Sequence, residues 1–115
     1  MLTIHIVDGN PENGILEFDV NGNRGNGNGD AKRTWQVHWI VKPGSAVLGI
    51  TNISMKSVPG NTDIFTNDPP AQQGNGRQWK AKVDDNAPIA DYYYDIEWES
   101  ESGVKTHDPK ISVKP

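Results

Sequence analysis

The chain has 115 residues, a formal net charge of −4 and no cysteine. This length predicts a single domain over residues 1–115, large enough to bury a hydrophobic core. The acidic balance and the scattered basic residues argue against a nucleic acid or a membrane as partner. Without cysteine, the chain has no disulfide, no thiol catalysis and no cysteine-ligated zinc or copper site.

The first predicted strand begins at the N-terminus. Met1 is followed by LTIHIV, in which Leu2, Ile4 and Ile6 share one face, and this period of two is typical of a half-buried strand. The segment lacks the basic, apolar and cleavage regions of a signal peptide. No apolar run approaches the roughly 20 residues that span a bilayer. Cytoplasmic residence is the default expectation for such a chain.

The same alternation recurs along the rest of the chain. It is found in ILEFDV, TWQVHWIVK, AVLGITNISM, QWKAKV and ADYYYDIEW, and the chain closes on ISV. Turn-forming clusters such as Lys42-Pro43-Gly44 separate these segments, and none has a sustained helical period. The pattern predicts an all-β fold: an antiparallel two-sheet β-sandwich of seven to eight strands, with an aromatic core.

Two segments, 19–33 and 67–77, are long for hairpin connections. Each contains a Gly-Asn-Gly triplet, centred on Asn26 in the first and on Asn75 in the second. Loops of this length without structure of their own are often functional, and nearby exposed aromatic rings could stack on a sugar or contact a protein. We expect two such rings to be exposed, one beside the second loop. The candidate ligand-binding residues are Asn26, Asn75, Trp79 and Tyr93.

The first of these segments also resembles part of an EF-hand-type calcium loop. Oxygen-bearing side chains stand at the positions that such a loop uses first, third, fifth and last: Asp19, Asn21, Asn23 and Asp30. Arg24 stands where the loop needs glycine, and only two carboxylates are available. The alternatives are a loop that orders around a partner and a polar mobile hairpin loop, which this comparison favours.

No catalytic constellation is recognisable in the sequence. His5 and His38 lie on the polar faces of their predicted strands, and a weak metal site between them would need neighbouring strands and a third ligand. His107 stands in a predicted turn. The acidic residues of 95–101 share a face that we interpret as solvated, whereas acid–base catalysis needs one carboxyl buried. We therefore expect no enzymatic activity.

Two stretches in the last quarter of the chain carry a family resemblance. DYYYDI at 91–96 and HDPKISV at 107–113 resemble the closing strands of cupredoxin-like and immunoglobulin-like β-sandwiches. In cupredoxin-like domains a Tyr-x-Tyr strand and a ligand-bearing loop precede a final short apolar strand, which here would contain Ile111 and Val113. The copper site of that family needs a cysteine, so the resemblance implies the fold without the redox activity.

These observations together predict a non-enzymatic binding or interaction module that uses the two Gly/Asn-rich loops and needs no cofactor. Its partner would be a protein or a carbohydrate, and the chain would be a monomer or a weak oligomer. One alternative is a calcium-assisted, lectin-like carbohydrate binder that uses the four oxygen-bearing residues above. Another is a structural subunit that assembles through its sheets. The binding prediction depends mainly on whether the fold brings the two Gly-Asn-Gly triplets to the same end.

Overall fold

The computed structural model describes residues 1–20, 22–66, 71–73 and 76–115, and for 71–73 it describes the backbone alone. These residues form eleven strands and no helix, which confirms the predicted all-β class. None of them therefore belongs to a helix long and apolar enough to cross a membrane. The strands are β1 (Leu2–Gly9), β2 (Leu16–Val20), β3 (Asn23–Gly25), β4 (Gly29–Lys32), β5 (Gln36–Val41), β6 (Gly49–Met55), β7 (Ala71–Gln73), β8 (Gln78–Lys82), β9 (Asp91–Ser100), β10 (Gly103–His107) and β11 (Lys110–Lys114).

The first sheet has six strands in the order β3-β2-β1-β5-β8-β7. Neighbouring strands within this sheet are antiparallel except for β1 and β5. These two run parallel, with Leu2 opposite Val37 and Ile6 opposite Val41. Parallel neighbours need a crossover connection. The chain makes this crossover through β2, β3 and β4, of which β4 belongs to the second sheet.

The second sheet has five strands, in the order β10-β9-β11-β4 with β6 also paired to β9. β11 is antiparallel to β9 and parallel to β4. Ile96 of β9 lies opposite Ile53 of β6 and also opposite His107 of β10. Because one residue cannot pair twice on the same edge, β6 and β10 lie on opposite edges of β9.

Both sheets are therefore mixed, and the expectation of purely antiparallel sheets is not met. The strand number also exceeds the predicted seven to eight, partly because the segment that we predicted as one long loop contains β3 and β4. Val20 pairs with Asn23, so the β2–β3 connection is only two residues long. Gly22 in this turn has φ of +82°, a conformation that glycine adopts without strain.

The core lies between the two sheets and uses the faces that the alternation predicts. Trp39 of the first sheet contacts Tyr94 of the second with ring centroids 5.8 Å apart. The indole N–H of Trp39 also donates a hydrogen bond to the Tyr94 hydroxyl at 3.1 Å. Apolar side chains of both sheets form one buried cluster, as an aromatic core requires. The bulkiest of its fully buried side chains are Trp39, Trp98, Tyr92, Tyr94 and Phe18.

Candidate ligand-binding site

A polar depression of about 470 Å³ opens where the chain passes from the first sheet to the second. Residues 23–30 form most of its wall, together with Val20 before them and Lys110 and Ser112 of β11. We call it the asparagine depression, after Asn23, Asn26 and Asn28 in its lining. It contains one of the candidate ligand-binding residues, Asn26, and two of the predicted calcium ligands, Asn23 and Asp30.

Gly27 determines the path of the backbone beneath this depression. Its φ is +86°, and a Cβ placed on it would stand 2.8 Å from three ring atoms of Phe18. No L side chain fits both the backbone conformation and the space. The chain therefore lies directly on the Phe18 ring, which is part of the core.

Three hydrogen bonds fasten the segment 26–28 to itself and to the second sheet. The backbone N–H of Asn28 donates to Oδ1 of Asn26 at 3.2 Å, and the backbone N–H of Lys110 donates to Oδ1 of Asn28 at 2.9 Å. The third bond joins Nε2 of His107 to the carbonyl oxygen of Asn26 at 3.2 Å. The segment is therefore a fastened part of the fold and not the slack loop that its composition suggests.

The hydrogen bonds of His107 define its tautomer. Its Nδ1 accepts the backbone N–H of Leu16 at 3.4 Å, so its Nε2 carries the proton that is donated to Asn26. The ring also packs against Phe18 with centroids 5.2 Å apart. The imidazole ring thus joins β2, the Gly/Asn segment and β10 through its hydrogen bonds.

The two cations of the depression have partners outside it. Lys110 lies 3.3 Å from Asp91, whose carboxyl also accepts a hydrogen bond from the Ser112 hydroxyl at 2.6 Å. These two contacts, the Ser112 bond first, lower the pKa of Asp91 below its ordinary value. Arg24 lies 3.8 Å from Glu17, and both side chains are about two-thirds exposed, so this ion pair contributes little to stability.

Tyr93 lies next to the depression on the outer face of the second sheet. It stands opposite Lys110 in the β9–β11 pairing, and it is 42% exposed. On the other edge of β9, the Asn61 side-chain amide pairs with its backbone: Tyr93 N–H donates to Oδ1 at 3.0 Å and Nδ2 donates to Tyr93 O at 2.7 Å. The backbone that carries this exposed ring is therefore paired on both edges of β9.

Trp79 was expected to be exposed, and that expectation is wrong. It is only 5% exposed and lies opposite Trp39 in the β5–β8 pairing. The alternation of Trp79, Ala81 and Val83 places all three on the core side of the sheet. Its indole N–H has no hydrogen-bond partner among the residues whose side chains are described.

The two Gly-Asn-Gly triplets do not form one site from their described residues. Gly76 accepts a hydrogen bond from the backbone N–H of Ile50 on β6, whereas the first triplet is bound to His107 of β10. Because β6 and β10 lie on opposite edges of β9, Gly76 and the first triplet are bound at opposite edges of this strand. Asn75 and Gly74 lie outside the described residues.

The predicted calcium ligands do not all line one site. Asp19 stands opposite His5 and Arg24 in the pairings of β2, and it does not line the depression that contains Asn23 and Asp30. Asn21 lies outside the described residues. Within the described ranges, no three His, Asp or Glu side chains are grouped so that they could hold a metal ion.

The remaining candidates from the sequence are the histidines of β1 and β5 and the acidic face of 95–101, and several of them contact other side chains. β1 and β5 are neighbours, but His38 stands opposite Thr3 and its Nε2 lies 3.2 Å from Gln36 Oε1. Burial, more than the charge of Lys80, lowers the pKa of His38 below its ordinary value. Asp95 lies 3.7 Å from Lys56, which also pairs with Asp108.

Several residues of the site were missed by the sequence analysis. Asn28, Lys110 and Asn61 act through hydrogen bonds between distant parts of the chain, which leave no local pattern. Gly27 had a local signal, since a glycine after Asn suggests a left-handed backbone conformation. The turn after Val20 had one too, since Asn-Gly between alternating strands is a strong hairpin signal.

Comparison with known proteins gives no family for this chain: no family model matches it, and no curated protein is significantly similar to it in sequence.

Proposed function

We propose that the protein is a non-enzymatic binding module and that it binds a carbohydrate in the asparagine depression. One observation carries the proposal: the Gly/Asn segment is fixed by its own hydrogen bonds while its exposed polar groups remain available. Groups that are fixed before binding lose little conformational entropy when a ligand arrives, so they bind it more tightly.

The size and chemistry of the depression suit this ligand class. Its volume of about 470 Å³ is within the range of roughly 300–1,000 Å³ that is usual for small-molecule sites. Amide side chains both donate and accept hydrogen bonds, as sugar hydroxyls do. The exposed ring of Tyr93 stands beside Lys110 at the border, where its apolar face could cover a sugar ring.

For the fold, we propose a β-sandwich of the cupredoxin-like or immunoglobulin-like class. Tyr92 and Tyr94 are both buried on β9, directly beside the final strand β11, where Ile111 pairs with Tyr92. This placement supports the resemblance of the last quarter of the chain. The absence of cysteine keeps copper chemistry out of the proposal.

Calcium is not part of the proposed mode of binding, because Asp19 does not line the depression and Arg24 brings a positive charge to it. A calcium titration during thermal unfolding distinguishes the lectin-like alternative, since a ligand of the native state raises the unfolding temperature. We expect no rise at millimolar calcium.

Assembly through β11 is not favoured either, because this strand has partners on both edges, β9 and β4.

The test is a panel of oligosaccharides followed by NMR and calorimetry. A binding sugar should shift the backbone resonances of residues 23–30 and of Lys110. Asn23→Ala and Tyr93→Ala should each weaken binding about tenfold, the loss expected for one hydrogen bond or one stacked ring. Val104→Ala is the control, because Val104 is 60% exposed on β10 and does not line the depression.

The proposal is wrong if no sugar of the panel shifts these resonances, or if the control variant weakens binding as much as the other two.

A further inference from the structure

Two asparagine side chains that line the depression already use their amide oxygens as acceptors. Oδ1 of Asn26 faces the backbone N–H of Asn28, and Oδ1 of Asn28 faces the backbone N–H of Lys110. Only an oxygen can accept these bonds, so the orientation of both amides is fixed by the network. Each amide nitrogen, with two N–H donors, is therefore turned away from the bond that fixes its side chain.

The charges of the lining also favour a ligand that accepts hydrogen bonds. Among the described residues of the lining, Arg24 and Lys110 are the cations and Asp30 is the only carboxylate. Each cation pairs with one carboxylate outside the lining, Glu17 or Asp91. A guanidinium has five N–H donors and an ammonium three, so each keeps donors for a ligand.

We propose that the sugar recognised by the asparagine depression carries a carboxylate, as uronic acids do. This inference rests on the proposed function and specifies its ligand. Lys110 and Arg24 supply the opposite charge, and the amide nitrogens of Asn26 and Asn28 donate to the oxygens of the ligand. Asp30 opposes the ligand's charge and reduces its affinity.

The first experiment compares ligands that differ only in charge. Oligomers of galacturonic and of glucuronic acid are titrated by calorimetry beside the same oligomers with methyl-esterified carboxyls. We expect the acid form of the ligand to bind at least about tenfold more tightly, because hydrogen bonds to charged groups are roughly twice as strong as neutral ones. Its affinity should fall as salt is added, since salt screens exposed charges.

The second experiment changes the donors and keeps the fold. Asn26→Asp and Asn28→Asp retain the oxygen that accepts the backbone N–H but remove the amide donors. We expect each to weaken binding of the acid sugar at least tenfold with little change in unfolding temperature. Asn13→Asp is the matched control, because Asn13 Oδ1 also accepts a backbone N–H, from Ile15 at 2.9 Å, and lies outside the depression.

A change at Asp30 should have the opposite effect on the affinity for the acid sugar. Asp30→Asn should tighten binding of the acid sugar several-fold, because it removes the carboxylate that the described residues contribute to the lining. For a neutral sugar the same change would weaken binding, since a carboxylate is the stronger acceptor for hydroxyl groups.

The outcomes separate the two proposals. Equal affinity for acid and ester, or an Asp30→Asn variant that binds the acid more weakly, overturns the inference and leaves the carbohydrate-binding function standing. An Asn13→Asp variant as impaired as Asn26→Asp also overturns it, because net charge alone would then explain the loss. Failure of every saccharide to bind overturns both.

Discussion

Gly27 shows how a single residue shapes the site. It combines a positive φ with a position against the Phe18 ring. Comparison with two other glycines of the segment distinguishes the effects of these two constraints. Gly22 also has a positive φ but has open space around its Cβ position, and Gly25 has open space and no positive φ.

Alanine at each of these glycines should rank their costs. We expect Gly25→Ala to be near neutral and Gly22→Ala to lower the free energy of unfolding by about 1–2 kcal/mol, the usual cost of a left-handed conformation for an L residue. Gly27→Ala should cost clearly more, because the ring beneath it must also move. Urea unfolding measures all three, and equal losses at Gly22 and Gly27 would contradict the packing argument.

The contribution of the Tyr94 hydroxyl to stability can also be measured separately. It accepts the indole N–H of Trp39 in the core, so Tyr94→Phe leaves a buried donor without a partner. We expect a loss of about 1–3 kcal/mol in the free energy of unfolding. Tyr93→Phe is the control, since that ring is exposed, and a similar loss there would show that the buried bond is not the cause.

Among the elements, β9 depends on a side chain to complete its pairing. β6 ends at Met55, opposite Tyr94, and the backbone N–H of Lys56 still donates to the carbonyl oxygen of Tyr93 at 3.0 Å. The Asn61 amide accepts the Tyr93 N–H and donates a second bond to the same carbonyl oxygen. The same amide also donates to the carbonyl oxygen of Lys56 at 2.8 Å. The position of the Tyr93 ring therefore depends on a residue outside any strand.

Asn61→Ala should release this edge of β9. We expect hydrogen exchange of the Tyr93 amide to become at least tenfold faster, with a loss of about 1–3 kcal/mol in stability from the hydrogen bonds removed. Thr62→Ala is the control, because Thr62 is the exposed neighbour of Asn61. Unchanged exchange in Asn61→Ala would show that β9 holds Tyr93 without the amide.

The strands themselves were predictable to different extents for a physical reason. β1, β2, β5, β8 and β9 each have one buried face, and burial of one face produces the period of two that the sequence shows. β3 has three exposed residues, and β10 has none that is fully buried. Without a buried face, the sequence of a strand has no alternation to detect.

For the whole molecule, the buried Tyr94 also predicts how stability depends on pH. Burial raises the pKa of Tyr94 above its ordinary value of 10.0, because desolvation disfavours the phenolate. The folded state therefore holds this proton more tightly than the unfolded state does. The stabilisation is complete below about pH 10 and is lost progressively as the pH rises further.

Urea unfolding at a series of alkaline pH values tests this prediction. The free energy of unfolding of the wild type should fall steeply above about pH 10. That of the Tyr94→Phe variant should fall less steeply. The comparison is needed because Lys56 contributes in the same direction: its hydrogen bond to Asp108 raises the pKa of Lys56. Equal slopes in the two proteins would contradict the role assigned to Tyr94.

The sequence by itself determined the all-β class, the aromatic core and the polar character of the segment 19–30, because side-chain burial and backbone preference are local properties. Only the tertiary structure decided what that segment does. Hydrogen bonds from His107 and Lys110, some 80 residues away along the chain, turn it into a fixed wall beside Tyr93. The same fold places Asp30 opposite Ser112 of β11 and leaves Asp19 outside the lining, because the register between distant strands, which no local pattern encodes, decides which side chains meet.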